Sequence, residues 1–179
     1  MVGHKHMEEA LLNTLLFPYL IELLEKDSNI IDRKLHENCI NHRLAMYMGL
    51  GIEHNVINVD CEYNKNMDGA KEVLGHKRLP DIIIHQRKSN ENNLILIEAK
   101  KQKLDVEDIE KINYYLLEPY KYKVTVGVLY KPKKSYMNIC ALSTRRLLNY
   151  QINKQTFVIE KTFDEVMGEH EIINQLFRQ

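Results

Sequence analysis

Tryptophan is absent from the 179-residue chain, and glycine and proline are sparse, at 7 and 4 residues. So few breakers exclude collagen-like and Pro/Gly-rich disordered sequences, and they leave no Gly/Ser linker at which a second domain would begin. No apolar run approaches the roughly 20 residues that cross a bilayer, and the start, with His4-Lys5-His6, lacks the apolar core of a signal peptide. A cytoplasmic location without membrane attachment is therefore expected. Cysteine is scarce too. Cys39, Cys61 and Cys140 form no CxxC pair, so neither a disulfide framework nor a cysteine-type zinc site is indicated, and buried reduced thiols are the expectation. Among the eight histidines, only His4 and His6 make an HxH pair, while His36 and His42 stand six apart, a poor ligand spacing on a helix.

What is present is an ordinary globular composition, 44% hydrophobic and 28% charged, in a length that suits one domain. The organisation expected is a single domain over 1–179, with a core at about 31–131 and an extension over 132–179. Net charge is zero, yet from Pro119 to Ile159 there is no Asp or Glu, and Lys121, Lys123, Lys131, Lys133, Lys134, Arg145, Arg146 and Lys154 give that stretch a charge of +8. Tyr120, Tyr122, Tyr130, Tyr136 and Tyr150 are interleaved with these charges. Such a segment can neutralise phosphates and offer rings to unpaired bases; the alternative is a solvated face whose tyrosines belong to the core.

Periodicity supplies the elements. Leu11, Leu12, Leu15, Leu16, Tyr19, Leu20 and Leu23 predict a helix over 8–26, and Ile40, Leu44, Tyr47 and Met48 a second over 31–48, closed by Gly49 and Gly51. From 56 to 64 the period changes to two, predicting a half-exposed strand. Strands are expected over 79–86 and 94–100, joined by a polar hairpin loop, then a helix over 104–117 with Asp105 as N-cap and Asp108 three residues on. The apolar run 123–130 predicts a strand buried on both faces. Beyond Pro132 the pattern suggests a helix over 139–150, a strand over 157–160 and a terminal helix over 164–177. The fold class expected is α/β, of an α+β-like kind with a mixed sheet and helices on both faces, in the order helix, three-strand meander, helix, strand.

Chemistry concentrates on one hairpin. Glu98 and Lys100 share a strand face, and either of two registers sets Asp81 opposite Glu98 or Lys100; both keep the three on one face, whereas a slip of one residue separates them. Two converging carboxylates need a counter-charge, which a divalent cation supplies, or else Asp81, Glu98 and Lys100 form a salt-bridge cluster at a strand end. Oxygen donors of this kind suit magnesium or manganese. Glu37, at 100° per residue, falls within the apolar stripe of its helix, where a carboxylate wants a partner or else sits at the rim.

Pro80-Asp81, then sixteen residues, then Glu98-Ala99-Lys100, preceded by a helix bearing Glu37, resembles the PD-(D/E)XK nuclease superfamily with its restriction-endonuclease-like fold. The stretch 37–47, with His42-Arg43-Leu44-Ala45, and then Val59-Asp60-Cys61-Glu62-Tyr63-Asn64, is similar to small bacterial and phage-type members. The resemblance covers about 31–131. It implies a nuclease in which Asp81, Glu98 and the Ala99 main-chain carbonyl bind Mg2+ or Mn2+. It further implies that Lys100 positions or activates water, and that Glu37 serves as a further catalytic carboxylate and metal ligand. Glu62 is a candidate addition to the metal set or an exposed strand residue; His42 and Arg43 contact phosphate or brace the helix. Lys121, Lys123, Lys131, Lys133, Lys134, Arg145 and Arg146 are the remaining candidates for binding nucleic acid, DNA by analogy, and a homodimer would let two sites reach two strands. A non-catalytic nucleic-acid-binding module on the same fold is the competing expectation.

Overall fold

The computed structural model describes residues 7–33, 35–52, 56–66, 69–70, 72–73, 75–77 and 79–166. His4, His6 and most of the expected terminal helix lie outside them. The elements in chain order are α1 (Met7–Leu15), α2 (Phe17–Asp32), α3 (Glu37–Gly51), β1 (Asn58–Cys61), β2 (Lys65–Asn66), β3 (Gly69–Ala70), β4 (Glu72–Val73), β5 (His76–Lys77), β6 (Ile82–His85), β7 (Ile95–Lys100), α4 (Val106–Tyr114), β8 (Val124–Leu129), β9 (Tyr136–Leu142), β10 (Arg146–Asn153) and β11 (Ile159–Val166).

Seven strands form one mixed sheet in the order β1-β6-β7-β8-β9-β10-β11. Only β7 and β8 run parallel, because α4 carries the chain back between them; every other neighbour is antiparallel. The fold is thus a mixed sheet with helices, as expected. One face of the sheet, with Ile82, Ile84, Ile95, Ile97, Val124, Val126 and Val128, packs against the leucines of α1 and α2 and against Ile40, Leu44 and Met48 of α3. The other face divides into two smaller clusters. Ile83 and Leu96 meet Tyr115, Tyr120 and Tyr122, while Ile112 and Leu116 meet Leu142 and Leu147. The pairs β2/β3 and β4/β5 are short hairpins between β1 and β6.

Several expectations are corrected. The helix read over 8–26 is two helices, because Pro18 sits in the first turn of α2 and restarts it; α2 then runs on to Asp32. Inside α2, Asp27 has non-helical torsions, and its carboxylate accepts from Tyr47 Oη (2.6 Å) and Arg43 Nε (2.7 Å), tying the two helices together. The second helix starts at Glu37 rather than 31 and reaches Gly51, where a Cβ would stand 2.5 Å from the Tyr19 ring. The largest correction lies over 139–150. No helix forms there; β9 and β10 pair as an antiparallel hairpin, Leu142 opposite Leu147 and Ile139 opposite Tyr150. The strand expected at 157–160 is β11, which continues through Val166 into the residues assigned to the terminal helix. Where mostly buried thiols were expected, Cys39 is exposed and Cys61 and Cys140 are half-buried, all three free.

Candidate active site

Strand direction decides which groups meet. Because β6 is antiparallel to β7 with Ile82 opposite Ile97, Asp81 arrives opposite Glu98, the first of the two registers open to the sequence. Where the ladder ends, the Asp81 side chain continues it. The Ala99 N–H donates to Asp81 Oδ2 at 2.8 Å, and the Glu62 N–H donates to the Asp81 carbonyl at 3.1 Å. Glu98 points to the α4 side of the sheet and is 1% exposed.

Helix α4 is fixed over these residues by its own start. Asp105 caps it, accepting from the Asp108 N–H at 2.9 Å, while Asp108 Oδ2 accepts from the Asp105 N–H at 3.0 Å, a reciprocal capping box. The other Asp108 oxygen, Oδ1, lies 3.1 Å from Lys100 Nζ. One turn later Lys111 Nζ donates to Glu98 Oε2 at 2.6 Å and to the Leu79 carbonyl at 3.1 Å. Gly127, opposite Glu98 on β8, leaves the space that Leu104 and Ile112 fill beneath α4. The second Glu98 oxygen, Oε1, is buried with no hydrogen-bond partner among the described residues.

Burial, and next the neighbouring Asp81 charge, push the Glu98 carboxyl upward, and the Lys111 ammonium beside it pulls the other way. Asp81 is raised as well, by burial first, with the Ala99 N–H and the two lysines opposing. For Lys100, partial burial acts downward, but Asp108 outweighs it and the ammonium is held above its ordinary value.

Glu37 opens α3 on the opposite side of the sheet and reaches its end, where Oε1 accepts from the Lys101 N–H at 2.8 Å. Glu62 is exposed, with a left-handed φ of 47°, and accepts from Asn38 Nδ2 at 2.9 Å. Among the described residues no three His, Cys, Asp or Glu side chains form a metal-holding group. The Asp81–Glu98 pair itself suits a hard divalent cation through its oxygen donors and the unpaired buried Oε1.

The structure divides the candidate nucleic-acid residues. Lys131, Lys133 and Lys134 follow β8 and lie at the site's end of the sheet, where the Tyr130 N–H bonds the Lys100 carbonyl and the Lys131 N–H that of Lys101. Lys121 and Lys123 precede β8, and Arg145 and Arg146 lie in or beside the β9–β10 turn, at the far end. Arg146 is also engaged by Glu9 and Asp164. Arg43 braces α2 through Asp27, whereas His42 is exposed on α3. Of the interleaved tyrosines, Tyr120, Tyr122, Tyr130 and Tyr150 are buried and only Tyr136 is exposed, so four of the five belong to the core and offer no stacking surface.

Sequence reading missed Lys111. Beside Ile112 on a charged helix it looks solvated, and only its three-residue spacing from Asp108 hinted that both address the sheet. It also missed a second polar cluster, in which Asp60 Oδ2 lies 2.9 Å from His85 Nε2 and accepts from Arg87 Nε at 2.8 Å, with Tyr63 edge-on to the His85 ring. No helix among the described residues is long and apolar enough to cross a membrane. No family model, curated protein or solved structure matches the chain.

Proposed function

We propose that this protein is a divalent-metal-dependent nuclease that hydrolyses phosphodiester bonds, with DNA the preferred substrate on the strength of the PD-(D/E)XK resemblance. The observation carrying this reading is the convergence of Asp81, Glu98 and Lys100 on one face at one end of the sheet, with a buried Glu98 oxygen left unpaired. Asp81 and Glu98 would hold magnesium or manganese, which when bound polarises a phosphate and lowers the pKa of a water. Lys100, kept an ammonium by Asp108, donates to the incoming hydroxide and to the phosphoryl oxygens rather than accepting a proton. Asp81 is oriented through the Ala99 N–H, and its other oxygen has no hydrogen bond among the described residues. Glu37, anchored on the Lys101 N–H, fixes the strand end that carries Lys100.

A second reading has its own support. Both lysines of the site are already ion-paired, Lys100 to Asp108 and Lys111 to Glu98, as a non-catalytic binding module on this fold would also allow. The two are separated by incubating labelled single-stranded, double-stranded and branched DNA, with an RNA control, in magnesium, manganese or EDTA. The nuclease cuts only with metal, and Asp81→Ala and Lys100→Ala each lower the rate at least about a hundredfold. Retarded but uncut substrate, unchanged in both variants, establishes the binding module instead.

A further inference from the structure

We propose, resting on the metal-dependent reading, that Lys111 is a built-in counter-cation that competes with the divalent metal for the Asp81–Glu98 pair. Two adjacent carboxylates, one of them 1% exposed, are costly to bury without compensating positive charge. Lys111 supplies that charge from α4. Its side chain is only 12% exposed, and its ammonium is held between Glu98 Oε2 at 2.6 Å and the Leu79 carbonyl at 3.1 Å. That carbonyl lies two residues before Asp81, so a single ammonium joins β7, which carries Glu98, to the segment leading into β6, which carries Asp81. The site is thereby assembled before metal arrives.

The same charge opposes metal entry. A divalent ion taken up at Glu98 Oε1 lies close to the ammonium on Oε2 of the same carboxylate, and like charges at that range repel strongly in a site this dry. Lys111 therefore trades metal affinity for stability of the metal-free protein. A neutral side chain of similar length at position 111 reverses the exchange, with tighter metal binding and a weaker apo fold. Arginine, still charged, does not.

The test is calorimetric titration of manganese chloride into the full chain, without nucleic acid, for the unsubstituted protein, Lys111→Met, Lys111→Arg and Asp81→Asn, with thermal unfolding in EDTA and in excess manganese. Lys111→Met is expected to bind manganese about tenfold or more tightly than the unsubstituted protein. Its unfolding midpoint falls in EDTA, and the gap between the manganese and EDTA midpoints widens, while Lys111→Arg binds no more tightly. Binding detected only in Lys111→Met supports competition equally. If Lys111→Met does not fold without metal, Lys111→Gln, neutral but hydrogen-bonding, takes its place. Binding that depends on Asp81 but is no tighter in the neutral variants overturns the competition and leaves the metal-dependent reading standing. No binding by any variant overturns both.

Discussion

Asp60 shows how a single charge is held inside this fold. Its side chain is 14% exposed; burial alone would raise its pKa, but hydrogen bonds from His85 and Arg87 outweigh that and hold the carboxyl below its ordinary value of 3.8. A depressed carboxylate adds stability above the unfolded-state value and loses it as pH falls toward the folded one. Asp60→Asn is accordingly expected to lower unfolding free energy by roughly 1–3 kcal/mol near neutrality, with the difference from the unsubstituted protein shrinking below about pH 4. Urea titrations across that range check it; a difference that does not vary with pH would remove the charge from the explanation. At this scale legibility in the sequence depended on period. Asp81, Glu98 and Lys100 were placed on one face because strand parity is fixed at two, whatever the rest of the chain does. Lys111 and the Asp60–His85–Arg87 cluster depend on which element covers which, and parity carries no such information.

Among the elements, the β9–β10 hairpin explains the largest misreading. Its turn contains neither glycine nor proline, and Ser143 performs their role. The Ser143 N–H bonds the Arg146 carbonyl at 2.9 Å, and its Oγ accepts from the Arg145 and Arg146 N–H groups at 3.2 and 3.1 Å. The apolar residues on either side, Met137, Ile139 and Ala141, then Leu148, Tyr150 and Ile152, each keep period two, but read through an unmarked turn they also match helical spacing. Ser143 Oγ also donates to Glu8 Oε1 at 2.9 Å, and Glu8 is 6% exposed with its other oxygen unpaired among the described residues. Ser143→Ala thus releases the turn and strands a buried carboxylate, with an expected loss of about 1–3 kcal/mol by chemical denaturation. Helix α4 offers a second prediction. Gly127→Ala displaces only the Leu104 methyl end and costs little, whereas Gly127→Val overpacks the contact by roughly 1–3 kcal/mol and moves α4. Since Asp108, which holds Lys100 as an ammonium, travels with α4, the proposed nuclease is expected in the valine variant to lose cleavage out of proportion to its loss of stability, and in the alanine variant to retain both.

Over the whole molecule, the acid-free stretch from 119 to 159 shows why a charge count along a chain is not a charge map. Strands β8, β9 and β10 reverse direction in turn, so their connections alternate between the two ends of the sheet. Lys121 and Lys123 enter at the far end, Lys131, Lys133 and Lys134 emerge at the end of the sheet where β7 finishes, Arg145 and Arg146 return to the far end, and Lys154 comes back. Lys154 is largely spent inside the protein: it donates to the Lys131 carbonyl at 2.8 Å, lies 3.6 Å from Asp32, and burial lowers its pKa. What remains exposed in the connections at the site's end is Lys133 and Lys134 after β8 and Lys103 after β7, with Lys101 and Lys131 half-buried. Lys131 and Lys133 both take left-handed torsions, φ of 46° and 62°, and the Lys133 N–H is tied to Asp32 Oδ1 at 3.2 Å, so this loop holds a defined shape. If the proposed function holds, a nucleic-acid backbone reaching the Asp81–Glu98–Lys100 site is expected to meet this loop rather than the opposite end. Each neutralised phosphate contributes about 0.9 to the slope of log affinity against log salt for duplex DNA. A Lys133→Glu/Lys134→Glu double variant is expected to bind duplex more weakly at every sequence and to flatten that slope by about 2, whereas Lys121→Glu/Lys123→Glu leaves it unchanged. Fluorescence anisotropy over a salt series in EDTA, which prevents cutting, measures both; equal flattening by the two variants would mean that the backbone runs across both ends of the sheet and that the site end does not select it.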